Sequence, residues 1–144
     1  MVLNAKKDQK INLGFFYHRL YNGGIERFIT NLANNLIKTN LYNIFIFTGN
    51  RNLDDFKIDK RIKRIQVFDV SQLNKEILLS FLRTNRIDII LYNVYWNQRD
   101  IKAIIEIGNY LNIKVVIQIH TFFMHYQNAN KLNKLYEYFR NGGS

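Results

Sequence analysis

The sequence contains no cysteine and no proline among its 144 residues. Without cysteine, neither a disulfide framework nor a cysteine-based metal site can form, and a reducing compartment fits this composition. No proline marks a domain boundary. The chain has no run of about 18 apolar residues, and its polar start over residues 2–10 lacks the apolar core of a signal peptide. We therefore expect a cytoplasmic protein that does not span a membrane.

Apolar and aromatic residues make up 47% of the chain, which is ordinary for a globular protein. A chain of this length forms one domain and buries roughly 70% of the surface that its unfolded form exposes. We expect a basic head over residues 1–10, one domain over residues 11–141 and a short Gly-Gly-Ser tail over residues 142–144. Because the last helical pattern breaks off where another strand should begin, we expect that this domain is truncated.

The net charge is +10, from 21 basic and 11 acidic residues. This excess predicts attraction to phosphate-rich partners, which include nucleic acid, anionic lipid and nucleotide-sugars. Much of the charge lies in the head and in a cluster over residues 57–64, without interleaved aromatic residues. This distribution disfavours nucleic acid as a partner and is typical of solvated faces.

Apolar runs and helical stripes alternate along the chain. Short apolar runs predict strands over residues 11–17, 43–48, 61–68, 87–92 and 113–119. Apolar residues at steps of three and four predict helices around residues 25–36, 73–82, 101–111 and 132–139. Ser71 is the expected N-cap of the second helix. Alternation of this kind predicts an α/β fold, a Rossmann-like three-layer sandwich with a mostly parallel sheet.

Ligands of such sheets bind outside the carboxyl ends of the strands, so the loops after residues 17, 48, 68, 92 and 119 are the expected functional loops. The first loop carries Gly23 and Gly24 directly before a helix, and the sequence lacks the G-x-G-x-x-G pattern of dinucleotide binding. Paired glycines at a helix start suit an anion or a sugar hydroxyl, and equally a tight turn.

Four stretches in order carry a resemblance to a known family. They are GGIER with NLANNL over residues 23–36, RIDIILYNVYW over residues 86–96, NIKVVIQIHTFF over residues 112–123, and NKLNKLYEYFR over residues 130–140. Together they resemble the N-terminal, acceptor-side domain of family 4 glycosyltransferases, which have the GT-B fold. The resemblance covers roughly residues 10–140.

The resemblance implies roles for residues that match the family's motifs. Gly23 and Gly24 take the position near the donor diphosphate and the acceptor, and Glu26 and Arg27 match the acidic and basic positions that follow. On a helix Arg27 can equally form an ion pair that orders the loop. His120 matches the catalytic-site histidine that faces the reacting sugar.

His120 is also a candidate on physical grounds, because an imidazole after a buried strand can hydrogen-bond a sugar hydroxyl or a diphosphate at the cleft. The alternative is a histidine that only satisfies loop backbone. Second-rank acceptor-binding candidates are His18, Asn93, Tyr95 and Trp96, since aromatic faces and amides suit sugars and also suit packing. The spacing of His120 and His125 does not place both on one helix face, so we expect no metal site.

The implied reaction is the transfer of a sugar from a nucleotide-sugar donor to a saccharide or lipid-linked acceptor, with retained configuration. It needs no obligatory metal and no cofactor beyond the nucleotide-sugar substrate. The family's donor-nucleotide contacts, including a Glu-x7-Glu motif, belong to a C-terminal domain that this chain lacks, so the chain alone is expected to be inactive. The basic surface suits acceptors at the inner face of an anionic membrane, as a peripheral protein.

Two other classes remain open at this point. The chain could be a non-catalytic subunit of a split glycosyltransferase, completed by a partner subunit. It could also be a small Rossmann-like module that binds a nucleotide or nucleic acid with steep salt dependence.

Overall fold

The computed structural model describes residues 9–69, 72–94 and 100–120. The strands in these ranges are β1 (Ile11–Phe16), β2 (Tyr42–Thr48), β3 (Lys63–Gln66), β4 (Phe68–Asp69), β5 (Gln72–Leu73), β6 (Ile89–Val94) and β7 (Lys114–Ile119). The helices are α1 (Gly24–Ile37), α2 (Lys75–Thr84) and α3 (Ile101–Leu111).

Five strands form one parallel sheet in the order β3-β2-β1-β6-β7. The short strands β4 and β5 pair with each other as an antiparallel hairpin. The predicted α/β class with a parallel sheet is therefore confirmed. In the part of the chain that the structure describes, no helix has the length and apolar character needed to cross a membrane.

Both faces of the sheet are apolar because neighbouring residues of each central strand point to opposite sides. On one face Phe15 and Ile46 pack in a cluster with Ile29 of α1. On the other, Phe16 and Phe47 join a second cluster with residues of α2 and α3. The result is three layers, with α1 on one side of the sheet and α2 and α3 on the other.

This placement follows from the direction in which the chain moves through the sheet. From β1 the chain moves outward through α1 to β2, and it later returns to β6 and continues through α3 to β7 in the opposite direction. Right-handed crossovers in opposite directions put their helices on opposite faces. The strand order thus reverses between β1 and β6, and the carboxyl ends of strands at such a reversal are where sheets of this kind bind ligands.

The start of α2 differs from the prediction. Asn74 is the N-cap, and its side-chain oxygen accepts a hydrogen bond of 3.1 Å from the Ile77 amide. The prediction of Ser71 as the cap is wrong, because the hairpin of β4 and β5 delays the helix. Leu73, which we assigned to the helical stripe, belongs to β5 for the same reason.

Strand boundaries also shift. The strand predicted over residues 61–68 is divided between β3 and β4, and the one predicted over residues 87–92 runs instead over β6. The amide of Ile87 donates to the Leu82 carbonyl at the end of α2, which delays the strand. The fourth predicted helix, over residues 132–139, lies outside the described residues.

Candidate functional site

The loop after β1, residues 17–23, is held by the loop after β2. The Phe56 amide donates to the Leu20 carbonyl at 2.9 Å, and Tyr21 and Asp55 form an isolated antiparallel bridge. Gly49 lies so close to the carbonyl oxygen of His18 that a Cβ at this position would overlap it. The two loops therefore form one unit at the carboxyl edge of the sheet.

Gly23 and Gly24 occupy different environments. Gly23 is the N-cap of α1 in an extended conformation that any residue adopts. A Cβ on Gly23 would nevertheless overlap the carboxylate of Glu26, whereas a Cβ on Gly24 would meet no atom within 4 Å. A larger residue at position 23 is therefore compatible with the backbone conformation but requires the Glu26 carboxylate to move.

Glu26 is an almost fully buried acid, with 2% of its side chain exposed. Its Oε1 atom accepts a hydrogen bond of 2.5 Å from Nε of Arg19, which lies in the loop after β1. The carboxylate also lies in the first turn of α1, where the positive end of the helix dipole favours a negative charge. Glu26 therefore ties the loop to the helix.

Arg27 turns away from Glu26. It is exposed, and its guanidinium lies over the ring of Phe56 at 5.3 Å from the centroid. The two charged residues of the GGIER motif thus have different contacts: Glu26 pairs with Arg19, and Arg27 lies over Phe56.

His120 follows β7 and is fixed by contacts on three sides. Its amide donates to the Val94 carbonyl at 3.2 Å, and the ring of Phe28 approaches its imidazole edge-on, with centroids 5.1 Å apart. Its Nε2 lies 2.8 Å from Oδ1 of Asn93. Because Asn93 donates through Nδ2 to the Leu91 carbonyl, its Oδ1 is the acceptor and Nε2 carries the proton. In the neutral ring, Nδ1 then remains a hydrogen-bond acceptor.

The charge of Glu26 affects the pKa values of both His120 and His18. Burial lowers the pKa of His120, and the charge of Glu26 opposes this effect. Burial, followed by the Arg19 charge, lowers the pKa of His18, while the charges of Glu26 and Asp100 act in the opposite direction. Both imidazoles are therefore held in the neutral form, in which one ring nitrogen can accept a hydrogen bond.

A cleft of about 740 Å³ opens beside these groups. It is lined by Tyr21, Asn22, Gly23, Gly24, Arg27, Asp54 and Phe56. The structure therefore divides the predicted site residues into two groups. His120 and Asn93 are hydrogen-bonded to each other, and the charge of Glu26 acts on the pKa of His120 and on that of His18, whereas Gly23, Gly24 and Arg27 line the cleft. Tyr95 and Trp96 lie outside the described residues.

Sequence reasoning missed several residues of this region. Arg19 and Phe28, which contact Glu26 and His120, carry no motif of their own. Asp54 and Phe56 lie in the loop after β2, which the fold prediction already marked as a functional loop. A closer inspection of that loop could have found an aromatic residue next to an acid.

Comparison with known proteins supplies no family for the chain. A scan against protein-family models gives no match, and a search of curated proteins gives none. Within residues 9–69, 72–94 and 100–120, no three histidine or acidic side chains are grouped to hold a metal ion. The resemblance to glycosyltransferases therefore stays a prediction from the residues.

The lowered pKa values of His18 and His120 predict that the protein loses stability in mild acid. Their folded-state pKa values lie below the ordinary imidazole value of 6.5, so the unfolded chain binds more protons as the pH falls through that value. Stability contributed by the neutral rings is present at neutral pH and is lost progressively as the pH falls below about 6.5. We expect His120→Gln to lose less stability over this interval than the original chain, measured by urea unfolding at several pH values. Parallel losses in the two proteins would contradict this assignment.

Proposed function

We propose that this chain is the N-terminal, acceptor-side domain of a retaining glycosyltransferase. The proposed reaction transfers a sugar from a nucleotide-sugar to a saccharide or lipid-linked acceptor. The observation that carries the proposal is the pair of His120 and Asn93, joined at 2.8 Å at the carboxyl ends of neighbouring strands. This edge of a parallel sheet, beside the point where the strand order reverses, is where Rossmann-like domains bind ligands.

The pair has the polar groups that a sugar needs. With the Nε2 proton donated to Asn93, Nδ1 of the neutral His120 ring can accept a hydrogen bond from a sugar hydroxyl. Phe28 is 39% exposed beside the imidazole, and its ring can pack against the C–H face of a sugar. A polar group that fixes orientation, next to an aromatic surface, is the usual composition of a small-ligand site.

Glu26 contributes charge to this site. Its carboxylate is buried and bonded to Arg19, so it acts on His18 and His120 through its electrostatic field. Its effect on positive charge that develops on a reacting sugar is reduced by Arg19, which carries the opposite charge 2.5 Å away.

Transfer by this route also requires a second Rossmann-like domain that holds the nucleotide, supplied by the same polypeptide or by a partner subunit. Without it, the positioning of donor against acceptor is lost. We therefore expect residues 1–144 alone to release no nucleotide from any nucleotide-sugar.

The test is an amide and imidazole NMR titration of the chain with neutral mono- and disaccharides, combined with a nucleotide-release assay. We expect chemical-shift changes at His120, Asn93 and His18, and their loss in His120→Ala. Asn35→Ala, at an exposed position of α1, is the control and should behave like the original chain. Shift changes confined to other regions would contradict the proposed acceptor site, and measurable nucleotide release would contradict the division into two domains.

A further inference from the structure

The cleft beside the start of α1 has a composition that differs from that of the His120 site. Its side chains include the aromatic residues Tyr21 and Phe56, the cation Arg27 and the anion Asp54. A volume of about 740 Å³ lies in the range of small-ligand sites. The cleft therefore offers a ligand both a cation and aromatic surfaces, which the His120 site does not combine.

Arg27 is the basic residue that lines this cleft among the residues that the structure describes. Arg19, Arg61 and Arg64 each pair with a carboxylate, at 2.5, 3.0 and 2.6 Å. Within the described residues Arg27 makes no such pair, and its recorded contact is with the face of Phe56. The guanidinium carbon lies over the Phe56 ring, and the guanidinium carries planar N–H donors that can bind a carboxylate or phosphate in bidentate fashion.

The wall that holds Phe56 is preformed. Arg64 is 7% exposed and donates to Asp55, to the Gly49 carbonyl at 3.2 Å and to the Asn50 carbonyl at 3.0 Å. The same loop is joined to the loop after β1 through the Phe56 amide. A ligand would therefore enter a cleft whose geometry already exists, which reduces the entropy lost on binding.

We propose that this cleft binds an anionic saccharide, with Arg27 on its single phosphate or carboxylate group and with Tyr21 and Phe56 against the sugar ring. The carboxylate of Asp54 accepts hydrogen bonds from sugar hydroxyls and repels a second anionic group. The ligand thus carries one anionic group, which favours an acceptor over a nucleoside diphosphate. The assignment to an acceptor rests on the proposed function, whereas the binding of an anionic saccharide does not.

The experiment is a calorimetric and NMR titration of the chain with glucose 1-phosphate, glucuronate, glucose, inorganic phosphate and uridine diphosphate. We expect the anionic sugars to bind, with shift changes at residues 21–24, 27 and 56, at least tenfold more tightly than glucose or phosphate. Binding of glucose 1-phosphate alone, or of glucuronate alone, supports the proposal and identifies the anionic group.

Arg27→Gln should weaken the binding of the anionic sugars by roughly tenfold or more, the size expected when a hydrogen bond to a charged group is lost. Arg83→Gln is the control for the loss of one exposed positive charge, because Arg83 does not line the cleft; its guanidinium lies 5.4 Å from the Tyr110 ring centroid and donates to the Tyr110 hydroxyl at 3.1 Å. It should leave the dissociation constant within twofold of the original. Phe56→Leu should weaken binding and leave the charge of the cleft unchanged.

Equal affinity for inorganic phosphate and the sugar phosphate would overturn the saccharide part of the proposal. Three results would overturn the proposed site. They are tighter binding of uridine diphosphate than of the anionic sugars, equal weakening of anionic-sugar binding by Arg27→Gln and Arg83→Gln, and no binding of either anionic sugar. If saccharides change the shifts of His120 but not those of the cleft residues, this inference is wrong and the proposed function stands. If they change the shifts of the cleft residues but not those of His120, the cleft inference stands and the proposed function is wrong.

Discussion

Replacing Gly23 by alanine is expected to lower the free energy of unfolding by about 2 kcal/mol, because the new methyl group displaces the Glu26 carboxylate from its bond to Arg19. Gly24→Ala is the neighbouring control. It places the same methyl group in open space and is expected to raise stability by about 0.5 kcal/mol through the lower entropy of the unfolded chain. Urea unfolding followed by circular dichroism measures both changes.

A double-mutant cycle tests the cause. In a Glu26→Ala background the overlap no longer exists, so Gly23→Ala should cost at least about 1 kcal/mol less than in the original chain. An equal cost in the two backgrounds would show that Gly23 is needed for another reason. Equal effects of Gly23→Ala and Gly24→Ala would also contradict the distinction between the two glycines.

Asp55→Asn is expected to destabilise the protein by about 3 kcal/mol, because it leaves Arg64 as a buried cation without its carboxylate partner. The pair is well enclosed, with 7% of the Arg64 side chain and 13% of the Asp55 side chain exposed. Asparagine retains an oxygen for the Asn52 amide, so the local turn is preserved and the lost charge is the main change. Denaturant unfolding at pH 7 measures the loss.

Asp59→Asn is the matched control in the same segment. Its partner Arg61 has 51% of its side chain exposed, and an ion pair in water contributes little to stability. The two variants should also differ in hydrogen exchange, with faster exchange of the Phe56 amide in Asp55→Asn alone. Similar losses for both variants would refute the view that Asp55 and Arg64 lock the loops around the cleft.

The basic cluster over residues 57–64 shows how well a charge pattern in the sequence predicts which residues are exposed. We interpreted it as a solvated face, which holds for Lys57, Lys60, Arg61 and Lys63, all of them exposed. Arg64 is the exception, because β3 places it beneath the loop after β2. A run of basic residues does not indicate which member lies next to a buried acid, since that acid is brought close only by the fold.

The sequence by itself determined the fold class, because strands with two apolar faces and helices with one apolar stripe have few ways to bury those surfaces. It also indicated the edge of the sheet where a site should lie, and it singled out His120 and Asn93 within that edge. The fold class and the sheet edge follow from the periodicity and order of elements along the chain, whereas His120 was singled out by the family resemblance together with its place after a strand, and Asn93 by its residue type.

Only the tertiary structure decided how the candidate residues are grouped. It brought the charge of Glu26 to bear on the pKa of His18 and of His120, placed Arg27 over Phe56, and gave the two glycines different surroundings. It also replaced Ser71 by Asn74 as the cap of α2. Each of these outcomes depends on side-chain direction or on a contact between residues distant in sequence, and neither is encoded in the periodicity of a single segment.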